Sequence, residues 1–401
     1  MSSSKIAAAE AVAAAAVVVV REYEEERDKH DVEEMERKCE ETGNHQHGKP
    51  VMVSDLLGDP VCRVRHFPSH TMLVAEYGEG RKKVVGVVRG CVKTVTRGGG
   101  NPIFVKLACV LGLRVSPSHR NLGIGTKLVR ALEEWFKQQG ATYAYMATDY
   151  TNEPSINLFT KKCSYVKFRT PTMLVQPVHA HSKPIGSDIS ILELTPQTAE
   201  SIYTRIFKDS EFFPRDIDAI LTSRNSLGTF IAVLNENHGP KSNLDDLSAN
   251  FAILSVWSTK DVFRLQMKGV SWLTHAFCSG SRLLDSCMPW MKLPSFPNVF
   301  DKFWVYFMYG MHMEGKDGPR LMKSLCSFVH NIGRYDGGCG ALAAELSPSD
   351  AVALVVPHWK RLSWAQDLWC LKKLSDEPEQ SDWTRSRSSS SSVIFVDPRD
   401  I

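Results

Sequence analysis

The spacing of apolar residues along the first half of the chain predicts strands and helices in a mixed α/β layer. Apolar runs rich in β-branched residues predict strands, among them the run over residues 105–115. After it, Leu128, Leu132 and Phe136 recur at helical spacing, which predicts a helix with one buried face. The predicted elements are a strand over 16–23, a helix over 28–41, strands over 71–77, 83–95 and 105–115, a helix over 127–139, a strand over 142–148, a helix over 152–162 and a strand over 165–175.

The second half repeats this pattern. A strand (303–313), a turn (315–319) and a helix (320–331) follow one another, and Gly318 stands where Gly123 stands in the first half. The second turn lacks Gly-x-Gly, and its proline removes one amide donor. We therefore expect a tandem protein with a degenerate second lobe, and an unrelated α/β domain is the alternative. The other elements predicted there are strands over 228–234, 251–257, 341–346 and 364–371, a helix over 350–360 and an edge strand over 393–396.

Composition divides the chain into two lobes with short flanking segments. A cleaved targeting segment over residues 6–20 is the alternative to a simple Ala-rich start, although Glu10 interrupts it. Serine-rich composition near the C-terminus predicts a disordered loop. The predicted divisions are an Ala-rich tail (1–15), a first lobe (16–176), a linker (177–190) and a second lobe (191–401) that contains the Ser-rich loop (378–392).

Charge and cysteine content narrow the functional classes. A net charge of +3 over 401 residues is too small to argue for binding to nucleic acid or a membrane, and we expect neither. The ten cysteines form no Cys-x-x-Cys pair, so we expect no metal site and no redox motif. Scattered cysteines of this kind are typical of reduced thiols in the nucleus or the cytosol.

The most specific motif, Arg120-x-x-Gly123-x-Gly125, lies between the strand over 105–115 and the next helix. Two glycines let the backbone approach a ligand closely, and a helix start offers free N–H groups and a positive dipole end to an anion. The spacing differs from that of a P-loop and of a Rossmann turn. It resembles the coenzyme A turn of the GCN5-related N-acetyltransferases (GNAT), which implies their mixed-sheet fold and acetyl-CoA as the acyl donor.

The GNAT resemblance also implies contacts to the coenzyme. The strand before the turn would lie along the pantetheine, the turn would hold the pyrophosphate, and the second helix would supply an Asn near its start. Phe159 stands where many relatives have the Tyr that protonates the leaving thiolate. The residues assigned to the coenzyme are Leu113, Arg114, Val115, Arg120, Asn121, Leu122, Gly123, Ile124, Gly125, Thr126, Asn152, Asn157 and Phe159.

The sequence assigns no firm catalytic residues. Acetyl transfer to an amine needs a base for the amine, donors for the oxyanion and an acid for the thiolate. Many relatives carry Glu near the position of Cys109, whereas this strand has no carboxylate. The candidates are Glu76, Asp149 and His119 as bases, Tyr165 and Tyr150 as acids and Cys109 as an acyl-accepting nucleophile, and the alternative for each is a structural role, a buried thiol for Cys109.

Longer stretches resemble the plant Hookless family from about residue 17 to the C-terminus. They include residues 55–60, 89–95, 104–125 and 395–398, and Ser164 stands where that family has Gly. The resemblance implies an N-acetyltransferase of the nucleus, with the cytosol as the alternative, that regulates hormone-dependent growth and gene expression. It further implies a protein lysine as acceptor, with histones as proposed substrates.

A basic acceptor predicts an acidic groove beside the coenzyme site. The competing hypothesis is a non-catalytic regulator that binds an acyl-CoA, or an interaction scaffold. The missing acid and base favour that hypothesis, whereas the intact turn argues against a pure scaffold. The oligomeric state stays open. The acidic residues that could line the groove are Glu22, Glu24, Glu25, Glu26, Glu33 and Glu34.

Overall fold

A computed structural model describes residues 18–43, 51–78, 83–98, 103–235, 250–360, 362–363, 367–375, 382–384 and 393–401. The predicted Ala-rich tail lies outside the described residues. So does the predicted Ser-rich loop, except for residues 382–384.

The helices and strands follow the predicted alternation. In the first half they are β1 (Val19–Glu22), α1 (Glu25–Gly43), β2 (Val51–Asp55), β3 (Ser69–Tyr77), β4 (Lys83–Arg97), β5 (Phe104–Val115), α2 (Ile124–Gln138), β6 (Tyr143–Asp149), α3 (Glu153–Asn157) with a following π-helical turn (Leu158–Lys162), and β7 (Val166–Arg169). In the second half they are β8 (Thr172–Pro177), β9 (Ile189–Leu194), α4 (Pro196–Phe207), β10 (Glu211–Pro214), α5 (Ile217–Leu221), β11 (Ser226–Leu234), β12 (Phe251–Ser258), β13 (Arg264–Lys268), α6 (Trp272–Cys287), β14 (Trp304–Glu314), α7 (Gly318–Tyr335), β15 (Cys339–Leu346) and β16 (Asp367–Lys373).

Two mixed sheets organise these elements. The first has the strand order β1-β3-β4-β5-β6-β16-β7, with β10 paired to β4, and the second has the order β8-β15-β14-β12-β11-β9. Strands β2 and β13 form a separate two-stranded sheet. The mixed α/β class predicted from the sequence is therefore confirmed.

The two sheets repeat one design. In each, a long strand pairs in parallel with the strand after the next helix, β5 with β6 and β14 with β15. Both parallel pairings stop early, at Val110–Met146 and at Phe307–Ala343, after which the two strands diverge. A glycine with positive φ follows on each long strand, Gly112 at 57° and Gly310 at 59°. This shared geometry confirms the predicted tandem arrangement.

The halves also exchange strands. The predicted strand over 165–175 is in fact two strands, because β7 lies in the first sheet and β8 pairs with β15 in the second. Conversely, β16 from the second half lies between β6 and β7 in the first sheet. The predicted boundaries at 176 and 191 therefore do not separate the two sheets, and the division into lobes stays a prediction.

The core has three main parts, since the chain buries both faces of each sheet. On β5, Ala108 and Val110 pack with α2, whereas Leu107 and Cys109 face a core shared with the second half. Helix α7 packs on the opposite face of the second sheet. The predicted solvated helix over 28–41 is amphipathic instead, because Val32, Met35 and Cys39 are buried against β3 and β4.

Two further segments differ from their predictions, and several elements were not predicted. The helix predicted over 350–360 is only a short 3-10 turn, Ala351–Leu354. The predicted edge strand over 393–396 is reduced to a single parallel β-bridge between Ile394 and Glu211 of β10, and the same segment lies close to β14 and β15. The elements that were not predicted are the β2–β13 pair, β9, α4, β10, α5 and α6.

Candidate coenzyme A site

The Arg120–Gly125 turn joins β5 to α2 through an irregular backbone. A 3-10 turn, Pro117–His119, comes first, and Asn121 and Gly123 then adopt positive φ of 66° and 76°. Gly123 precedes the helix, and among the described residues no side chain caps this helix start. The first main-chain hydrogen bond of α2 runs from Lys127 N to Gly123 O. The amides before Lys127 are therefore free to bind an anion.

The two glycines of the motif have different physical roles. Gly123 needs its left-handed conformation, and a Cβ there would meet nothing within 4 Å. A Cβ on Gly125 would lie 3.3 Å from Leu158 Cδ2 and 3.8 Å from Val115 Cγ2. Gly125 thus keeps a narrow space between the end of β5, the start of α2 and the π-helical turn. This cradle fits a diphosphate at the helix start.

The gap between the diverging strands β5 and β6 leads to this cradle. Leu113, Arg114 and Val115 lie beyond the last β5–β6 pair and are half-buried. The side chain of Arg114 turns towards α1, where it pairs with Glu40 at 3.6 Å and Glu36 at 3.9 Å. Only the main chain of this segment is therefore left for an extended ligand in the gap.

The rim of the turn is basic and exposed. Arg120 is exposed, and its Nε donates to Val115 O at 3.4 Å. Lys127, Lys161 and Lys162 are exposed on the elements that flank the cradle. The remaining turn residues assigned to the coenzyme share this place: Asn121 and Leu122 are exposed, Ile124 is buried under the helix start, and Thr126 is half-buried.

The second helix contributes less than the sequence suggested. Asn152 caps α3 by accepting from Ser155 N at 3.3 Å, and it also donates to Thr148 Oγ1 at 3.1 Å. Asn157 is exposed on the same helix. Phe159 is 1% exposed and packs edge-on against Tyr165 in the α2 core. The structure gives the assignment of Phe159 to the coenzyme no support, because the π-helical turn directs this ring into the core.

Glu76 is held in a structural ion cluster. Its Oε1 accepts from Arg21 Nη2 at 2.7 Å and from Arg27 Nη2 at 2.5 Å, and Asp28 accepts from Arg21 at 2.6 Å. Burial alone would raise the pKa of Asp28, but the hydrogen bonds from Arg21 and from Glu24 N, together with the charges of Arg21 and Arg27, lower it overall. The Glu76 carboxylate, 4% exposed, is thus committed to two arginines, and its geometry gives a role as base no support.

Two more candidates lie inside the core. Tyr165 is 2% exposed, and burial raises the pKa of its hydroxyl well above the usual value. Cys109 is 2% exposed on the sheet face away from α2. Both positions match the structural alternatives considered for them, since neither side chain opens on the coenzyme cradle.

The remaining candidates lie at the surface near the turn or at the end of β6. The ring of His119 packs on Tyr77 at 5.1 Å and its Nδ1 lies 2.9 Å from Ser118 Oγ. Asp149 is exposed and accepts from Thr151 N at 2.6 Å, and Tyr150 is 47% exposed.

Sequence reasoning missed a polar cluster beneath the gap. Lys93 of β4 and Tyr145 of β6 meet Asp397 and Asp400 of the C-terminal segment on the same sheet face as Cys109. The only signal for it was the resemblance of residues 395–398 to the Hookless family. Elsewhere in the described parts of the chain, no three His, Cys, Asp or Glu side chains are placed to hold a metal ion. Of the helices described, none has the length and apolar character needed to cross a bilayer.

Comparisons with known proteins agree with this geometry. The profile of the "Acetyltransferase (GNAT) family" matches residues 29–165. The "Probable N-acetyltransferase HLS1" of Arabidopsis thaliana is 46% identical over 95% of this chain and 99% of its own length. The "Acetyl transferase GW6a" of Oryza sativa subsp. japonica is 45% identical over 86% of this chain and 81% of its own length.

Solved structures share the fold at low sequence identity. The GCN5-related glucosamine N-acetyltransferase region of a fungal multi-domain β-N-acetylglucosaminidase has a TM-score of 0.52 at 15% identity, over 90% of this chain and 38% of that protein. The N-myristoyltransferase of Saccharomyces cerevisiae with bound myristoyl-CoA has a TM-score of 0.51 at 10% identity, over 89% and 79%. With the identity to the two plant relatives over nearly its whole length, the chain belongs to the GCN5-related N-acetyltransferase (GNAT) family, alongside HLS1.

Proposed function

We propose that this protein transfers the acetyl group of acetyl-CoA to an amine of a protein, with lysine as the acceptor side chain. The observation that carries the proposal is the glycine cradle at the start of α2 beside the end of the β5–β6 pairing. Beyond Val110 the main chain of β5 no longer pairs with β6, and the cradle offers free amides to a diphosphate. An acyl-CoA has this combination of a long pantetheine arm and a diphosphate.

The chain's residues would contribute binding and orientation before any proton moves. The amides of Ile124, Gly125 and Thr126 would hold the diphosphate, and the Leu113–Val115 backbone would align the pantetheine. The bulge at Gly112 takes Gly112 and Leu113 out of the regular β4 register. Their main-chain amides are therefore candidates to stabilise the oxyanion that forms at the thioester carbon.

The acceptor proposal follows the charges on α1. Glu24 directly precedes that helix and Glu25, Glu26 and Glu33 lie on it; all four are exposed, and a basic protein segment such as a histone tail would complement them. We further propose a nuclear location and a role in hormone-dependent growth and gene expression, in line with the Hookless resemblance.

Calorimetric titration with acetyl-CoA tests the coenzyme site. We expect wild-type protein to bind one acetyl-CoA per chain. The Gly123→Glu, Gly125→Glu double variant should lose at least about 100-fold in affinity, because two carboxylates repel the diphosphate and fill the cradle. Gly280→Glu is the matched control, since a Cβ at Gly280 would meet nothing within 4 Å on helix α6. Unaltered binding by the double variant would contradict the proposal.

The second candidate function is a regulator that binds an acyl-CoA without turnover. It is favoured by Phe159, which has no proton to donate, and by the commitment of Glu76 to two arginines. Release of free coenzyme A in the presence of lysine peptides separates the two functions. Chromatography should be used for detection, because Cys287 is an exposed thiol that reacts with disulfide reagents.

A further inference from the structure

The polar cluster beneath the gap brings carboxylates close to β5, the strand that has no carboxylate of its own. Lys93 has no exposed side-chain surface, and its Nζ lies 2.5 Å from Asp400 Oδ2 and 3.2 Å from Asp397 Oδ2. The same Nζ lies 5.7 Å from the centre of the Tyr145 ring. The C-terminal segment thus delivers two carboxylates to β4 and β6 of the first sheet.

The cluster lies at the point where the gap begins. Cys109 and Tyr145 are direct partners in the parallel β5–β6 pairing, and the last pair, Val110–Met146, is one residue further. Cys109 and Tyr145 face away from α2, in the core shared with the second half. A thioester in the gap would therefore have these side chains directly beneath it, on the face opposite the coenzyme helix.

Two polar atoms of the cluster are poorly satisfied. Asp400 Oδ1 and Tyr145 Oη are buried, and among the described residues neither makes a hydrogen bond of ordinary geometry, although the hydroxyl and the carboxylate lie close enough to interact with each other. Tyr145 is 1% exposed, and burial raises its pKa well above the usual value, with the Asp400 carboxylate as the next cause. A buried polar atom without a well-formed hydrogen bond is costly, so this pair is suited to a ligand that completes its hydrogen bonds.

Asp397 and Asp400 differ in how fully they are engaged. Asp397 accepts from Arg399 Nη2 at 2.8 Å and from Arg399 N at 3.0 Å, and Arg399 and Lys93 lower its pKa despite its burial. Asp400 accepts from Lys93 through Oδ2, whereas its other oxygen faces Tyr145 and no cation, and its side chain is 11% exposed. Burial raises the pKa of Asp400, which makes its carboxylate a stronger base, while Lys93 opposes that shift.

We propose that Asp400 is the general base that removes the proton from the acceptor amine, in place of a carboxylate on β5. This inference rests on the proposed acetyltransferase function. Asp400 Oδ1 would accept the proton of the acceptor ammonium, and the neutral nitrogen would then form a bond to the thioester carbon. As the tetrahedral intermediate collapses, the C–S bond breaks and the nitrogen's second proton goes to the thiolate. Asp400 finally releases its proton to water.

The charges that surround Asp400 come from several elements. They decide the pH at which it is ionised, so each is part of the argument. The titratable and charged groups around the carboxylate are Cys91 and Lys93 of β4, Cys109 of β5, Tyr145 of β6, Glu345 of β15, and Asp397 and Arg399 of its own segment.

The Asp400→Asn variant tests the proposal in the full-length protein. Lys93 keeps Asp397 as its partner, so we expect the variant to fold and to bind acetyl-CoA as wild type does. Its kcat/KM at pH 7 should fall about 100- to 10,000-fold. The difference in kcat/KM between wild type and Asp400→Asn should narrow as the pH approaches the pKa of the lysine acceptor, about 10.4, because the acceptor amine is then already deprotonated and needs no base.

A purely structural role for Asp400 would leave a deficit that does not change with pH. Asp397→Asn is the comparison: because Asp397 raises the pKa of Asp400, this variant should lower stability and move the acid limb of the pH profile to lower pH, without the loss of activity at pH 7 that is expected of Asp400→Asn. Wild-type turnover in Asp400→Asn would overturn the role of Asp400 and leave the acetyltransferase function intact. Wild-type protein that binds acetyl-CoA but acetylates no acceptor would overturn both, and wild-type protein that does not bind acetyl-CoA would remove the proposed function itself.

Discussion

The two lobes share one topology, yet only the first keeps the features that a coenzyme needs. Eight residues separate β5 from α2, whereas three separate β14 from α7. The longer connection carries the glycine cradle, and the shorter one leads into a helix with Pro319 in its first turn. The same fold can therefore bind a diphosphate or not, according to the length and the glycines of a single turn.

The gaps of the two lobes differ as much as the turns. The space at the second gap is lined by β14, by β15 and by residues 393–396 of the chain itself. Phe395 packs there against Phe207 and Phe213, with ring centres 5.2 Å from each. The second lobe thus uses its gap as a core, and the segment that fills it continues to Asp400 beneath the first gap.

The largest expected effect comes from emptying the second gap. Phe395→Ala removes a ring that is 2% exposed, so we expect the free energy of unfolding to fall by about 3–5 kcal/mol. Urea denaturation measures this change. Calorimetry should still find one acetyl-CoA per chain, because the emptied lobe has no cradle.

Val393→Ala is the control for this prediction. Val393 belongs to the same segment but is 40% exposed, and its truncation should change stability by less than about 1 kcal/mol. A loss of that small size for Phe395→Ala would mean that the segment does not fill the gap. If Phe395→Ala bound a second acetyl-CoA per chain, the β14–α7 turn would be able to hold the coenzyme, which would contradict the proposed difference between it and the β5–α2 turn.

The second prediction concerns a carboxyl group in the second gap. Glu345 of β15 occupies the position of Ala147 on β6 when Gly310 is aligned with Gly112, and Trp369 Nε1 donates to it at 3.1 Å. Burial, followed by the charge of Asp367, raises the pKa of Glu345 to about 8. A carboxyl of this kind stabilises the fold when it is protonated, so its contribution is complete below its unfolded pKa of about 4.3 and is lost as the pH rises through 8.

Glu345→Gln should therefore be more stable than wild type at pH 9, by an amount on the order of 2 kcal/mol. The difference should shrink as the pH falls towards 5, where both side chains are neutral. Thermal unfolding at several pH values measures it. Glu134→Gln on the exposed face of α2 is the control and should show no such trend. An equal difference at every pH would contradict the buried neutral state of Glu345.

The sequence predicted local features of the first lobe well and long-range ones poorly. The turn was predictable because Gly123 and Gly125 act on their own backbone and nearest neighbours. The burial of Phe159 was not predictable from the sequence, because a π-helical turn changes the direction of a side chain without changing the spacing of apolar residues. Asp400 meets Lys93 across 307 positions of sequence, and no periodicity reports such a contact. The exchange of β8 and β16 between the two sheets was not predicted for the same reason, because the sequence of a strand does not specify the sheet to which it belongs.

The smallest expected effect concerns a segment that has no equal in the second lobe. The π-helical turn ends at Cys163, and Ser164 then adopts a positive φ of 62°, whereas the second lobe has only the 3-10 turn Ala351–Leu354 near this place. A left-handed conformation costs a non-glycine residue about 1–2 kcal/mol, and the greater freedom of glycine in the unfolded chain offsets roughly 0.5–1 kcal/mol of the gain. Ser164→Gly should therefore raise the free energy of unfolding by about 0.5 kcal/mol, measured by urea denaturation.

The control is Ser182→Gly, at an exposed position outside the residues with positive φ. It should instead lower the free energy of unfolding slightly. A loss of stability in Ser164→Gly would show that the serine side chain contributes more than its backbone strain costs, and that the turn of the first lobe is specific to serine.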